Sequence, residues 1–209
     1  MVELGEAGRK ETFQRLTELQ ADGALCDVTL RAGGCELKAH ACILATASTP
    51  LRSLIDAAST DGAALSSTLP PLSSPGIRLR DGPPANVVVS LPPDVDAESL
   101  RTLLDFIYGR PIALRPDNVE PLLALSARYG VAPLRRRCCE RLAAAAAEDD
   151  SATCGLLAVA DRRGCRRLRA QLLARVLSRF GAACAPGIGA FLALPLPLVA
   201  EILGHDRLA

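Results

Sequence analysis

The spacing of apolar residues changes character along this chain of 209 residues. Phe13, Leu16 and Leu19 recur every third residue, which predicts a short helix ended by Gly23. Cys26–Ala32 and Cys35–Lys38 then read as alternating strands on either side of Gly33-Gly34. That pair is a hairpin signal, since both residues accept positive φ. Ala41–Ala47 behind His40 reads as a short helix, and Thr49 with Pro50 at the first helical position starts another through Leu54-Ile55. Residues 56–86 lose the pattern: 15 of these 31 are Ser, Thr, Gly or Pro and none is aromatic. A poorly ordered surface loop is expected there. Val87–Leu91 restores order as an apolar strand.

From Asp96 onward the pattern is helical. Leu100, Leu103, Leu104 and Ile107 share one face, closed by Gly109. Asp117 with Glu120 resembles a capping box for a helix that carries Leu122, Leu123 and Leu125 and ends at Gly130. Pro133 opens the next, which runs into Ala143–Ala147, and two more helices are expected over 152–163 and 166–179, parted by Gly164. Residues 122–142 align without a gap onto 156–176, at an offset of 34, with eight identities that include Gly130/Gly164 and Leu134/Leu168. Such a repeat predicts two helical hairpins with the same turn, each too small to bury its face alone. No third copy is read, and the aromatic and Pro signature of a tetratricopeptide array is missing.

Composition narrows the function. The chain has no Trp, 4 Phe and 2 Tyr, too few aromatics for a base-stacking surface or a sugar groove. Lys+Arg number 24 against 23 Asp+Glu, but residues 1–100 carry −5 and residues 101–209 carry +6. The first 24 residues are polar and mixed in charge, and no apolar run approaches the roughly 20 residues of a membrane helix. The expectation is a soluble protein of the cytoplasm or nucleus. Its eight cysteines form no C-x-x-C pair, and only His40 and His205 could add imidazole, so reduced buried thiols are expected rather than a metal or disulfide framework. Cys138-Cys139 beside Arg135, Arg136 and Arg137 is the one redox candidate, through a lowered thiol pKa.

Asp27 and His40 are the only pair worth weighing as a catalytic dyad, and no G-x-S-x-G elbow or phosphate loop accompanies them. Asp27 reads as the start of a strand and His40 as a helix cap. Neither an enzyme nor a cofactor is expected. Arg135–Arg137 with Arg162, Arg163, Arg166, Arg167 and Arg169 reads as a solvated helical face. The alternative is docking on acidic protein or nucleic acid.

Particular blocks carry a resemblance. Asp27–Leu30, Ala39–Ala45, Leu104–Gly109, Asn118–Ser126 and Leu134–Cys138, in this order and spacing, resemble the BTB/POZ fold. Cys154–Ala160, Phe180, Phe191–Pro195 and Leu203–Leu208 resemble the start of a BACK domain, so that the whole is similar to a kelch-like protein without kelch repeats. The resemblance implies an α+β class: a small sheet flanked by short helices, followed by an all-α hairpin segment. It divides the chain into a tail (1–10), a BTB/POZ domain (11–147) with a disordered insertion at 56–86, and a partial BACK domain (148–209).

It also implies a homodimer and a cullin-3 ubiquitin ligase adaptor with an unknown substrate, no membrane and no nucleic acid. Phe13, Leu16, Leu19, Asp27 and His40 would lie at the dimer interface. Pro50, Leu51, Leu54, Ile55, Thr102 and Tyr108 would face the cullin. Three positions depart from the family: Pro50-Leu51 replaces an aromatic pair, residues 56–86 contain no Glu, and Ala41 replaces a cation. The first two favour the alternative, a BTB scaffold or transcriptional regulator that dimerises without a cullin; the third removes the cation from the charged pocket of BTB repressors, and the BACK resemblance favours the adaptor.

Overall fold

A computed structural model describes residues 3–63, 86–181 and 189–205. The chain forms two compact units, Met1–Ala113 with Arg128–Val131, and Leu114–Ala127 with Ala132–Ala209. The first contains α1 (Glu3–Ala21), β1 (Val28–Ala32), β2 (Cys35–Ala39), α2 (Ala41–Ala47), α3 (Thr49–Ala63), β3 (Val87–Ser90) and α4 (Ala97–Ile107). Its sheet has the order β2-β1-β3. β1 and β2 pair antiparallel with Ala32 opposite Cys35, while β1 and β3 run parallel. The hairpin is the one the Gly-Gly pair predicts: Gly33 and Gly34 both have positive φ, +55° and +77°. At Gly33 a Cβ would also stand 3.2 Å from the backbone nitrogen of Ala97, so position and conformation both call for glycine.

Two helices are longer than the apolar pattern indicates. α1 begins at Glu3, within the expected tail, and α3 continues to Ala63, into the expected loop. In both, hydroxyls that usually favour loops bond back into their own helix: Thr12 Oγ1 donates to Gly8 O, and Ser59 Oγ to Ile55 O. The rest of the expected insertion, 64–85, lies outside the described residues. The cap of α3 is also one residue earlier than expected. Ser48, buried, accepts from the backbone N–H of Leu51 and donates to Tyr129 O.

The second unit consists of helical hairpins: α5 (Val119–Arg128) with α6 (Ala132–Glu148), then, after a 3₁₀ turn at Asp150–Ala152, α7 (Thr153–Arg162) with α8 (Arg166–Ser178). The repeat is visible in the packing. Leu123, Ser126, Leu134, Cys138 and Leu142 are all buried, and so is each residue 34 positions on: Leu157, Ala160, Leu168, Leu172 and Val176. A third, shorter hairpin follows, α9 (Gly189–Leu192) and α10 (Leu196–Leu203), packed on α7 and α8 respectively. Its buried Phe191, Leu194 and Ile202 stand 34 residues beyond Leu157, Ala160 and Leu168. The offset of 34 does not carry through this hairpin, however: it sets the turn at 163–165 against Pro197, Leu198 and Val199, inside α10, so the repeat stays at two copies. This hairpin turns through Ala193–Pro195 without the glycine that marks the other two. No described helix is long and apolar enough to cross a membrane.

The two units keep the sign of the charge split seen between the halves of the sequence, but with a smaller difference. The first carries 11 basic and 14 acidic residues, the second 13 and 9, giving −3 and +4. The boundary between the units differs from the division expected after residue 147, because α6 packs on α7 and α8 and joins their unit.

Candidate interaction surface and the node behind it

In the first unit, a polar node forms where β2, the end of α4 and α1 converge. Tyr108, 1% exposed, accepts from the backbone N–H of His40 at 2.9 Å and lies 2.8 Å from His40 Nδ1. His40 Nε2 faces the carbonyl of Ala24 at 3.1 Å, and a carbonyl can only accept. The ring proton therefore sits on Nε2, and Tyr108 donates to Nδ1, which satisfies every polar atom of the pair. Burial pushes the Tyr108 phenol up to about 12.

The same residues hold α1. Thr17 Oγ1 donates to Tyr108 O, and Gln20 Nε2 donates to Lys38 O. Arg110 donates to Asp105, Thr17 O and Gln20 Oε1, with its guanidinium 6.0 Å from the Tyr108 ring centre. Only the C-terminal half of α1 is clipped in this way. Residues 11–15 are exposed, Phe13 by 47%, while Leu16 and Leu19 are half-buried. One turn of the helix thus presents an aromatic residue that its own unit leaves uncovered.

Asp27 keeps the place expected of it at the start of a strand and also takes the cap expected of His40. His40 occupies the position before α2 but makes no side-chain cap. The cap comes from Asp27 at the head of β1, whose carboxylate accepts from Ala41 N–H at 2.7 Å. Asp27 is half-buried and His40 is buried, so neither forms an open surface in this unit.

The six residues expected to face a cullin divide by depth. Leu51, Ile55 and Tyr108 belong to the core. α3 packs on β3 and α2 through this side, and Tyr108 is turned inward by its bonds to His40. Pro50 is exposed and Leu54 is 37% exposed, in the row of α3 next to the buried one. Thr102 is half-buried, with its hydroxyl bonded to Glu98 O in its own helix.

The redox expectation for Cys138-Cys139 also changes. Burial pushes Cys138 up to about 12 and Cys139 up to about 11; Arg135 lowers the latter, but only as a lesser influence. Cys184 lies outside the described residues. Among those described, no group of three His, Cys, Asp or Glu side chains could hold a metal ion. Arg110, Thr17 and Gln20 were not legible as functional residues, because the bonds joining them span about 90 residues and leave no periodic signal.

Comparison with known proteins agrees with this architecture. The BTB/POZ domain family model matches residues 16–75 and 81–145. The match ends inside α6, so the family segment and the compact units divide the chain at different places. Mouse (Mus musculus) Kelch-like protein 35 is 33% identical over 127 residues, 60% of this chain. Human (Homo sapiens) Kelch-like protein 2 is 26% identical over 133 residues, 64% of this chain. The aligned part amounts to 19% and 18% of those proteins, so this chain spans about a fifth of each. A solved structure, the BTB domain of zebrafish PATZ1, superimposes with a TM-score of 0.46 at 20% identity, covering 62% of this chain and 86% of that one. Matched by the family model over more than half of its length, this α+β chain belongs to the BTB/POZ domain family, whose members are protein interaction modules.

Proposed function

We infer that this chain is a non-enzymatic, homodimerising BTB–BACK adaptor of a cullin-3 ubiquitin ligase, acting in the cytoplasm or nucleus. One observation carries the reading: a BTB/POZ segment that aligns with kelch-like proteins continues directly into stacked helical hairpins. In that scheme the ubiquitin chemistry belongs to the partner enzymes. The adaptor supplies proximity, raising the local concentration of a substrate at the transfer site.

The exposed turn of α1 around Phe13, with Leu16 and Leu19 beside it, would meet the same surface of a second copy, as an isologous interface requires. Pro50, Leu54 and Thr102 would form the cullin face. Leu51, Ile55 and Tyr108 would set the position of that face from behind. Titration of the full chain with the cullin-3 N-terminal domain tests the assignment. Saturable binding is expected, and Leu54→Asp should weaken it by about tenfold while leaving the thermal melt unchanged.

The rival reading is a BTB scaffold or transcriptional regulator that dimerises without a cullin. It is favoured by Pro50-Leu51, where the family has an aromatic pair and where this chain sends Leu51 wholly into its core. Absence of saturable cullin binding, with dimerisation intact, would select it.

A further inference from the structure

Within the second unit, α6 and the turn from α7 into α8 enclose a groove of about 600 Å³. Its floor is small and apolar, formed by Ala132, Cys139, Ala143 and the buried Leu168. Its rim is cationic: Arg135 and Arg136 from α6, and Arg166 and Arg167 from the first turn of α8, against the single acid Glu140.

The unit's own carboxylates do not neutralise that rim. Glu120 pairs with Arg162 and Arg163, Asp161 and Glu201 with Arg169, and Asp150 with Arg175 and Arg179. Glu148 pairs with Arg141, Asp117 with Arg115, and Asp149 is held by Ser151. Glu140 reaches only Arg136, at 3.9 Å. Arg135 is fixed in place through Nη2, which donates to the carbonyls of Arg163 and Gly164 and leaves its charge unchanged. Among the described residues, the guanidinium groups of Arg166 and Arg167 take no hydrogen bond or ion pair, and both are exposed. The net +4 of the unit is thus concentrated at one concave place with an apolar base.

We propose that this groove binds an acidic segment of a partner protein, an apolar side chain seated on the Ala132–Ala143–Leu168 floor and flanking carboxylates paired with Arg135, Arg166 and Arg167. A protein segment fits better than nucleic acid for two reasons. The floor offers no aromatic face for a base, and the basic residues ring a pocket rather than tracking a backbone, with Glu140 among them to repel phosphate. Charge steers the encounter and selects the partner, while the apolar contact retains it. The proposal is independent of cullin recruitment, because none of its residues belongs to α1, α3 or α4.

The test is fluorescence anisotropy of the full chain with a labelled peptide of Glu residues flanking a central Leu, beside a Lys-for-Glu control and a duplex DNA of the same length. The acidic peptide should bind, the control should not, and affinity should fall as salt is raised. Arg166→Gln with Arg167→Gln should weaken binding by about tenfold or more, and Ala143→Trp should do the same by filling the floor without altering charge. Circular dichroism melts confirm that both variants fold; Arg167→Gln alone, at an exposed site, should give a smaller loss in the same direction. Absence of peptide binding, binding unchanged in these variants, or DNA bound more tightly than the peptide would overturn the proposal.

Discussion

In the first unit, hydrogen bonds between residues far apart in sequence fix the geometry: His40 with Tyr108 across 68 positions, Ser48 with Tyr129 across 81, and Thr29 with Asn86 across 57. In the second unit, the same buried positions recur every 34 residues, and ion pairs join neighbouring helices along their exposed edges. The first design makes each polar atom depend on one specific partner, so losing a single hydroxyl leaves buried groups unsatisfied. The second spreads stability over equivalent apolar contacts and does not draw on Arg166 and Arg167, which are exposed. This contrast explains why the first unit carries one sharply defined node while the second carries an open groove.

The largest expected effect tests whether the hairpins are equivalent. Leu134→Ala and Leu168→Ala each remove a buried side chain at the same repeat position and should each cost about 3 kcal/mol in chemical denaturation. Costs differing by more than about 2 kcal/mol would mean that the repeat is one of sequence and not of packing. Next comes the node. Tyr108→Phe keeps the ring but strands His40 N–H and Nδ1, at an expected cost of about 2 kcal/mol, whereas an exposed hydroxyl would cost almost nothing.

The smallest effect, absent at neutral pH, appears in alkali. Cys138 at about 12 and Cys139 at about 11 titrate above the ordinary 9.0, and Tyr108 at about 12 lies above the ordinary 10.0. The folded chain therefore keeps protons that the unfolded chain releases. Stability should be full below pH 9 and fall as pH rises toward 11 and 12. Cys138→Ala should flatten the first part of that decline in urea midpoints measured against pH; an unchanged slope would mean that the thiol is not held protonated by the fold.

How much of this was legible follows from the same contrast. The hairpin at Gly33-Gly34, the Gly130 and Gly164 turns and the α5–α8 repeat are local and periodic, so they stand out in the sequence. The third hairpin does not, because α9 spans only four residues, too few to show a period, and its turn lacks glycine. The extension of α3 is hidden because Ser59 looks like a loop residue until its hydroxyl is seen bonded within the helix. The depth of Leu51, Ile55 and Tyr108 is hidden for another reason: an apolar stripe does not say which of its residues faces the core and which faces a partner. Family resemblance names candidate interface residues, and the packing sorts them into exposed and buried.

The central claim, a homodimerising interaction module, is tested most directly by sedimentation equilibrium of the full chain at micromolar concentration, with Phe13→Asp beside the wild type. The exposed turn of α1 predicts a dimer that the charge at Phe13 converts to a monomer of unchanged thermal stability. A monomeric wild type, or a dimer indifferent to Phe13→Asp, would contradict it.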